Sequence, residues 1–208
     1  MKRHIGWVAG TAAAALVAAG AITYAVAEDG GSGAAAPGAE SADAGFARDM
    51  AVHHQQAVEM SYIVRDRTDD EEVRRLAYDI AQTQANQRGM LLGWLDLWGL
   101  PKVSAEPPMT WMGMGGMPAG KDGALMPGMA TNAELKKLGT LSGERAEVFY
   151  LQLMTAHHQG GVHMAEGCVA RCTVGVEKRL AQGMVEAQQS EIALMADMLK
   201  KRGAAPRS

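Results

Sequence analysis

Two short segments of the chain carry imidazole and thioether groups at matched spacing: Met50-x-x-His53-His54-Gln55 and Met154-x-x-His157-His158-Gln159. Met60 and Met164 follow the two His pairs at equal distances. Imidazole nitrogen and thioether sulfur together favour a soft or borderline ion, copper above all, as Cu(I), Cu(II) or both. Gln55, Gln84, Gln159, Gln188 and Glu191 are candidates to accept from a ligand histidine's other N–H and fix its tautomer. Neighbouring residues on a helix point about 100° apart, so the two histidines of a pair cannot both face one axis. His53 and His157 fall on the apolar stripe and are expected inward. His54 and His158 then lie on the flank, toward a neighbouring helix or solvent, and serve the same ion or a second one. His163 stands where the first segment has Glu59, and adds a donor near His158 and Gln159.

The matched spacing belongs to a longer duplication. Shifted by 104 residues, 46–99 align with 150–203 without a gap, and 13 of 54 pairs are identical. That is several times what ordinary composition gives, so the chain reads as a tandem repeat of one unit. In each unit the apolar residues recur every three or four positions, the mark of a packed helix. Phe46, Met50, His53, Ala57, Met60 and Val64 form one stripe, and Val73, Ala77, Ile80, Gln84, Gln87, Leu91, Trp94 and Trp98 the next. Tyr150, Met154, His157, Gly161, Met164 and Cys168 repeat the first. Ala181, Met184, Gln188, Glu191, Met195 and Met198 repeat the second. Thr68-x-x-Glu71 predicts a capping box, and Gly99 with Pro101 a stop.

Two such hairpins most economically make an all-α antiparallel four-helix bundle. Equal distances from a turn mean equal height in a hairpin, at ~1.5 Å per residue. His53 is therefore expected to face Gln84, and His157 to face Gln188, all four in one layer. Met50 and Met154 are expected together on one side of it, near Gln87 and Glu191. Met60 and Met164 are expected on the other. The alternative use of such a buried polar layer is to set helix register.

Between the repeats, Met109, Met112, Met114, Met117, Met126 and Met129 lie among Gly and Pro. Two readings stand for this connection. Spaced thioethers on a mobile loop would capture Cu(I), with Met112, Met114 and Met117 as ligands and Trp111 as a cover. Alternatively the loop folds over an apolar face, where Met is an adaptable contact. Cys168 and Cys172 are open in the same way. An intact helix holds such a pair poorly for a disulfide, a helix ending between them permits one, and unbridged thiolates would bind metal.

The N-terminus sets the compartment. Lys2 and Arg3 precede a nearly uncharged run from Ile5 to Ala27 that ends in a small-x-small sequence, an export signal. Residues 1–27 are read as a signal peptide or, uncleaved, as a membrane anchor through 5–27. Residues 28–42 are a flexible Gly/Ala linker. Residues 43–203 form the helical domain, as hairpin 43–100, Met-rich connection 101–141 and hairpin 142–203, with 204–208 as a tail. The net charge of −3, with 21% charged residues, excludes a basic nucleic-acid footprint. Neither Glu-x-x-His nor His-Glu-x-x-His occurs, which removes the common di-iron and zinc-protease patterns. No nucleophile–base constellation stands out, so no catalytic residue is assigned.

Through Phe46-x-x-Asp49-Met50-x-x-His53-His54-Gln55, His157-His158-Gln159-Gly160 and Gln188-x-x-Glu191, with the Met-rich spacer between, the chain resembles the secreted domain-of-unknown-function family 305. The resemblance covers residues 43–203 and implies a ferritin-like four-helix fold and export, with copper binding or resistance in some members. Leu153 in place of the first motif's Asp49, and the Cys168/Cys172 pair, depart from it. The expectation is an extracytoplasmic protein for copper sequestration, trafficking or tolerance. Its partners would be the metal ion and a copper transporter or other exported protein. A copper redox protein and a metal-free interaction module are the rivals.

Overall fold

The computed structural model describes residues 36–116 and 120–207. Residues 1–27, read as an export signal, lie outside them, and among the described residues no helix is long and apolar enough to cross a membrane. The elements are α1 (Ala42–Arg65), α2 (Glu71–Leu97), a 3-10 turn at Thr110–Met112, α3 (Asn132–Thr140), α4 (Glu144–Arg171) and α5 (Gly175–Lys201). Among the described residues there is no strand.

The helices begin and end where local chemistry permits. The Ser41 hydroxyl accepts from the Ala44 N–H and opens α1. For α2 the cap is Asp70, whose carboxylate accepts from the Val73 N–H at 2.9 Å, and not the expected Thr68. Thr68 is turned elsewhere: its hydroxyl donates to the Glu147 carboxylate at the start of α4. Gly99, at φ +67°, ends α2 before Pro101, since only glycine enters the left-handed region at no steric cost. The connection holds one element that the pattern of Gly, Pro and Met obscures. Thr131 and Glu134 form a reciprocal capping box that starts α3.

The predicted stripes of α1 and α4 are buried throughout. On α2 and α5 their central members are buried, while Gln87, Trp94, Trp98 and Glu191 are only partly covered. Helix α1 packs on α2, α4 on α5, and α1 on α4. The two hairpins meet head to tail. Asp43, at the start of α1, accepts from the Thr173 and Val174 N–H groups just beyond α4, and Thr68, just beyond α1, reaches Glu147 in the first turn of α4. The pseudo-twofold axis therefore runs across the helices. This overturns the expected placing of the methionines: Met50 shares one apolar cluster with Met164, and Met60 shares the other with Met154. The histidine segments lie between the two clusters.

Candidate metal centre

Four imidazoles meet in the middle of the bundle. His53 and His54 come from α1 and His157 and His158 from α4, and all four are fully buried. The 100° offset within each pair sends its members to different neighbours. His53 and His157 stack across the α1–α4 contact, with ring centroids 3.7 Å apart and planes inclined by 29°. The second histidine of each pair turns to the other helix of its own hairpin. His54 lies beside Gln84 and Gln87 of α2, and His158 meets Glu191 of α5.

Hydrogen bonds fix two tautomers. His157 Nε2 donates to the His53 carbonyl oxygen at 3.0 Å, and His158 Nε2 donates to the Glu191 carboxylate at 2.7 Å. In each ring Nδ1 has no hydrogen-bond partner. The carboxylate behind His158 is the arrangement that orients and enriches a metal-ligating imidazole. Neither nitrogen of His53 or of His54 makes a hydrogen bond of good geometry, although the Pro127 carbonyl lies near His53 and the Gln84 and Gln87 side chains near His54. The Gln84 amide and the side-chain oxygen of Gln188 are likewise without one. Burial holds His53 and His54 down at about 3; the neighbouring His158, and for His54 also His53, adds to it. Burial first, then the other three histidines, holds His157 well below the ordinary range. These three rings are neutral at neutral pH, the form that donates a lone pair to a metal.

Buried polar atoms are normally paired, and each one left bare costs roughly 1–3 kcal/mol. Six bare imidazole nitrogens in one layer therefore fit a site built for an electrophile. The flanking sulfurs agree, since Met50, Met60, Met154 and Met164 are all fully buried on either side. The rings as placed do not close a three-nitrogen chelate. Among the described residues, the only three His, Cys, Asp or Glu donors within 4.8 Å of one another belong to Cys168, Cys172 and Glu177.

Several expected neighbours stand elsewhere. Gln84 sits by His54. The Gln188 amide packs on Gly161, where a Cβ would lie 2.4 Å from its oxygen. Gln55, Gln159 and His163 are on the exposed faces of their helices, away from the buried layer. The Met-rich connection is folded onto the bundle: Met109 and Met126 are buried and Met112 and Met114 half-buried, while Met117 lies outside the described residues. Its Met109, Met114 and Met126 line a cavity of about 440 Å³ with Pro107, Pro108 and Pro127. Cys168 and Cys172 form a disulfide, with Cα atoms 4.8 Å apart. It closes because α4 ends at Arg171 and Cys172 turns to extended backbone.

Two residues outside the expected set hold the connection down. The Gln56 amide accepts from the Ala130 N–H at 2.7 Å and donates to the Ala130 carbonyl at 2.8 Å. The Asp49 carboxylate accepts from the Met109 N–H at 2.7 Å and the Trp111 indole N–H at 2.9 Å. Burial raises Asp49, and these two donors and Arg48 pull it back. The tether matters to the site because it brings the Pro127 carbonyl against His53. A signal for Gln56 was present in the repeat. Its counterpart is Gly160, where a Cβ would lie 2.0 Å from the Pro127 oxygen. One helix grips the connection and the other makes room for it.

The model of the family described as Domain of unknown function (DUF305) matches residues 43–199. The chain belongs to the DUF305 family. A crystal structure of a DUF305 protein from Streptomyces coelicolor is 77% identical over 82% of this chain and 99% of that one, with a TM-score of 0.77. A DUF305 fragment from Deinococcus radiodurans is 32% identical over 77% and 96%, at 0.65. CopM in its Cu(I)-bound form has the same DUF305-type fold at 20% identity, over 76% and 96%, at 0.58. Among curated protein sequences the chain has no match.

Proposed function

We propose that this DUF305 protein is an exported copper-binding protein that sequesters copper or passes it on. The observation that carries the reading is the set of six imidazole nitrogens without a well-formed hydrogen bond on four fully buried histidines. A layer kept only for register would pair its polar atoms with one another. His53, His54, His157 and His158 supply nitrogen, and Met50, Met60, Met154 and Met164 supply soft sulfur from the two adjoining clusters, a donor set that selects copper over harder ions. CopM, of the same fold, is known in Cu(I)-bound, Cu(II)-bound and Ag-bound forms, which supports the choice of metal. Met112, Met114 and Met117 of the connection receive Cu(I) on its way to or from the layer. Residues 1–27 direct export, and the Streptomyces coelicolor relative is an inferred secreted protein. The recipient is a copper transporter or another exported protein.

The test is titration of the exported chain with Cu(I) and Cu(II) against a competing chelator, beside a His53→Ala/His157→Ala double variant. Tight binding that the variant loses supports the buried site. Binding that survives moves copper to the Met-rich connection, and no binding tighter than micromolar for either ion overturns the reading.

A further inference from the structure

At the corner where α4 gives way to α5, the copper reading leaves three side chains without a use. The sulfurs of Cys168 and Cys172 and a carboxylate oxygen of Glu177 all lie within 4.8 Å of one another. None of the three residues is more than 3% exposed. Neither Glu177 carboxylate oxygen has a hydrogen-bond donor. Its neighbour Asp43, whose carboxylate lies within hydrogen-bond reach of Glu177, also accepts from the Thr173 N–H and hydroxyl and the Val174 N–H. Among the described residues no basic side chain pairs with either acid.

The duplication supplies an internal comparison. With the 104-residue shift, Cys168, Cys172 and Glu177 correspond to Val64, Thr68 and Val73, of which the two valines are fully buried core. Asp43 corresponds to Glu147, which pairs with Arg202 at 2.7 Å. The counterpart of Arg202 is Trp98. One half thus closes its corner with apolar packing and a compensated carboxylate. The other places two sulfurs and a buried carboxyl at the same positions and has no cation there. A covalent staple needs only the two cysteines, and a valine at 177 would pack against it without burying a carboxyl. A bridge that spans four residues also restrains the unfolded chain less than a long-range one.

We propose that Cys168, Cys172 and Glu177 form a redox-gated site for a thiophilic d10 cation, separate from the histidine layer. The site is shut while the sulfurs are bonded to each other. A thiol reductant opens it: the S–S bond takes up two electrons and two protons and becomes two thiols, while two reductant thiols become a disulfide. The cation then displaces the two thiol protons and the Glu177 carboxyl proton to solvent and binds two thiolates and the Glu177 carboxylate, a donor set suited to Zn(II) or Cu(I).

The test uses Cd(II) as the probe on the full chain carrying His53→Ala/His157→Ala, with and without a phosphine reductant. Thiolate-to-cadmium absorption at one ion per chain is expected only after reduction, and not in a Cys168→Ser/Cys172→Ser variant. Glu177→Gln is expected to keep the thiol count and helical circular dichroism while weakening Cd(II) roughly tenfold or more. Three results overturn the proposal: no such absorption in the reduced chain, loss of the helical signal on reduction, or a Glu177→Gln variant that binds as tightly as its parent.

Discussion

His53 and His157, 104 residues apart in the chain, lie ring on ring at 3.7 Å across the α1–α4 contact. His157 donates to the backbone oxygen of His53 itself. The contact joins the two helical hairpins at a point where neither ring is protonated at neutral pH, because full burial holds both below the usual imidazole range.

Removing the pair is expected to weaken copper binding by about 100-fold or more, roughly 2.7 kcal/mol. His163→Ala, on an exposed position, is expected to change it less than about twofold. Competitive chelator titrations of the three proteins check both figures. Equal losses in both variants would place copper on the surface.

Acid is expected to destabilise the metal-free protein through the same layer. His53 and His54 are held at about 3 when folded, against about 6.5 when unfolded. Between these values the unfolded chain takes up protons that the native one refuses, so the stabilising contribution is complete above pH ~6.5 and is lost as pH falls toward 3. Glu177, pushed up to about 9 mainly by burial, acts in the opposite sense: its contribution is lost as pH rises through 9. Urea midpoints of wild type minus His53→Ala/His157→Ala isolate the histidine part, because Glu177 titrates in both. A difference independent of pH from 7 down to 4 would contradict it.

Copper, bound only by the native state, is expected to raise the melting temperature. At a free concentration 100 times Kd the gain is about 2.7 kcal/mol. Differential scanning fluorimetry with and without the ion measures it. The double histidine variant should show no such rise.

Gly160 and Gly89 make a paired test of the connection's docking. A methyl group at Gly160 would meet the Pro127 oxygen at 2.0 Å, whereas one at Gly89 meets nothing within 4 Å. Gly160→Ala is expected to destabilise by about 1–3 kcal/mol, and Gly89→Ala, in the middle of α2, to stabilise by about 0.5–1 kcal/mol. Denaturant unfolding of the two variants should move in opposite directions.

Gln56→Ala removes both hydrogen bonds that hold Ala130, and leaves that buried backbone unpaired at about 1–3 kcal/mol per group. The connection should open before the bundle does. Limited proteolysis is expected to cut within 101–131 faster in the variant, with the helical signal intact.

The α-helical stripes and the burial of His53 and His157 were legible in the residue pattern. Helical periodicity is a local property, and it states which face of a segment must leave water. It does not state how one hairpin lies on the other. Met50 therefore met Met164, and Met60 met Met154, only once the two repeats had packed head to tail. That same packing turned His54 and His158 inward, each against the second helix of its own hairpin, although the pattern left them between a neighbouring helix and solvent. The grip of Gln56 on Ala130 spans 74 residues of sequence, and no periodicity reports a hydrogen bond to a loop. The chain by itself determined which side chains are buried; the non-local contacts of the folded bundle decided which of them meet.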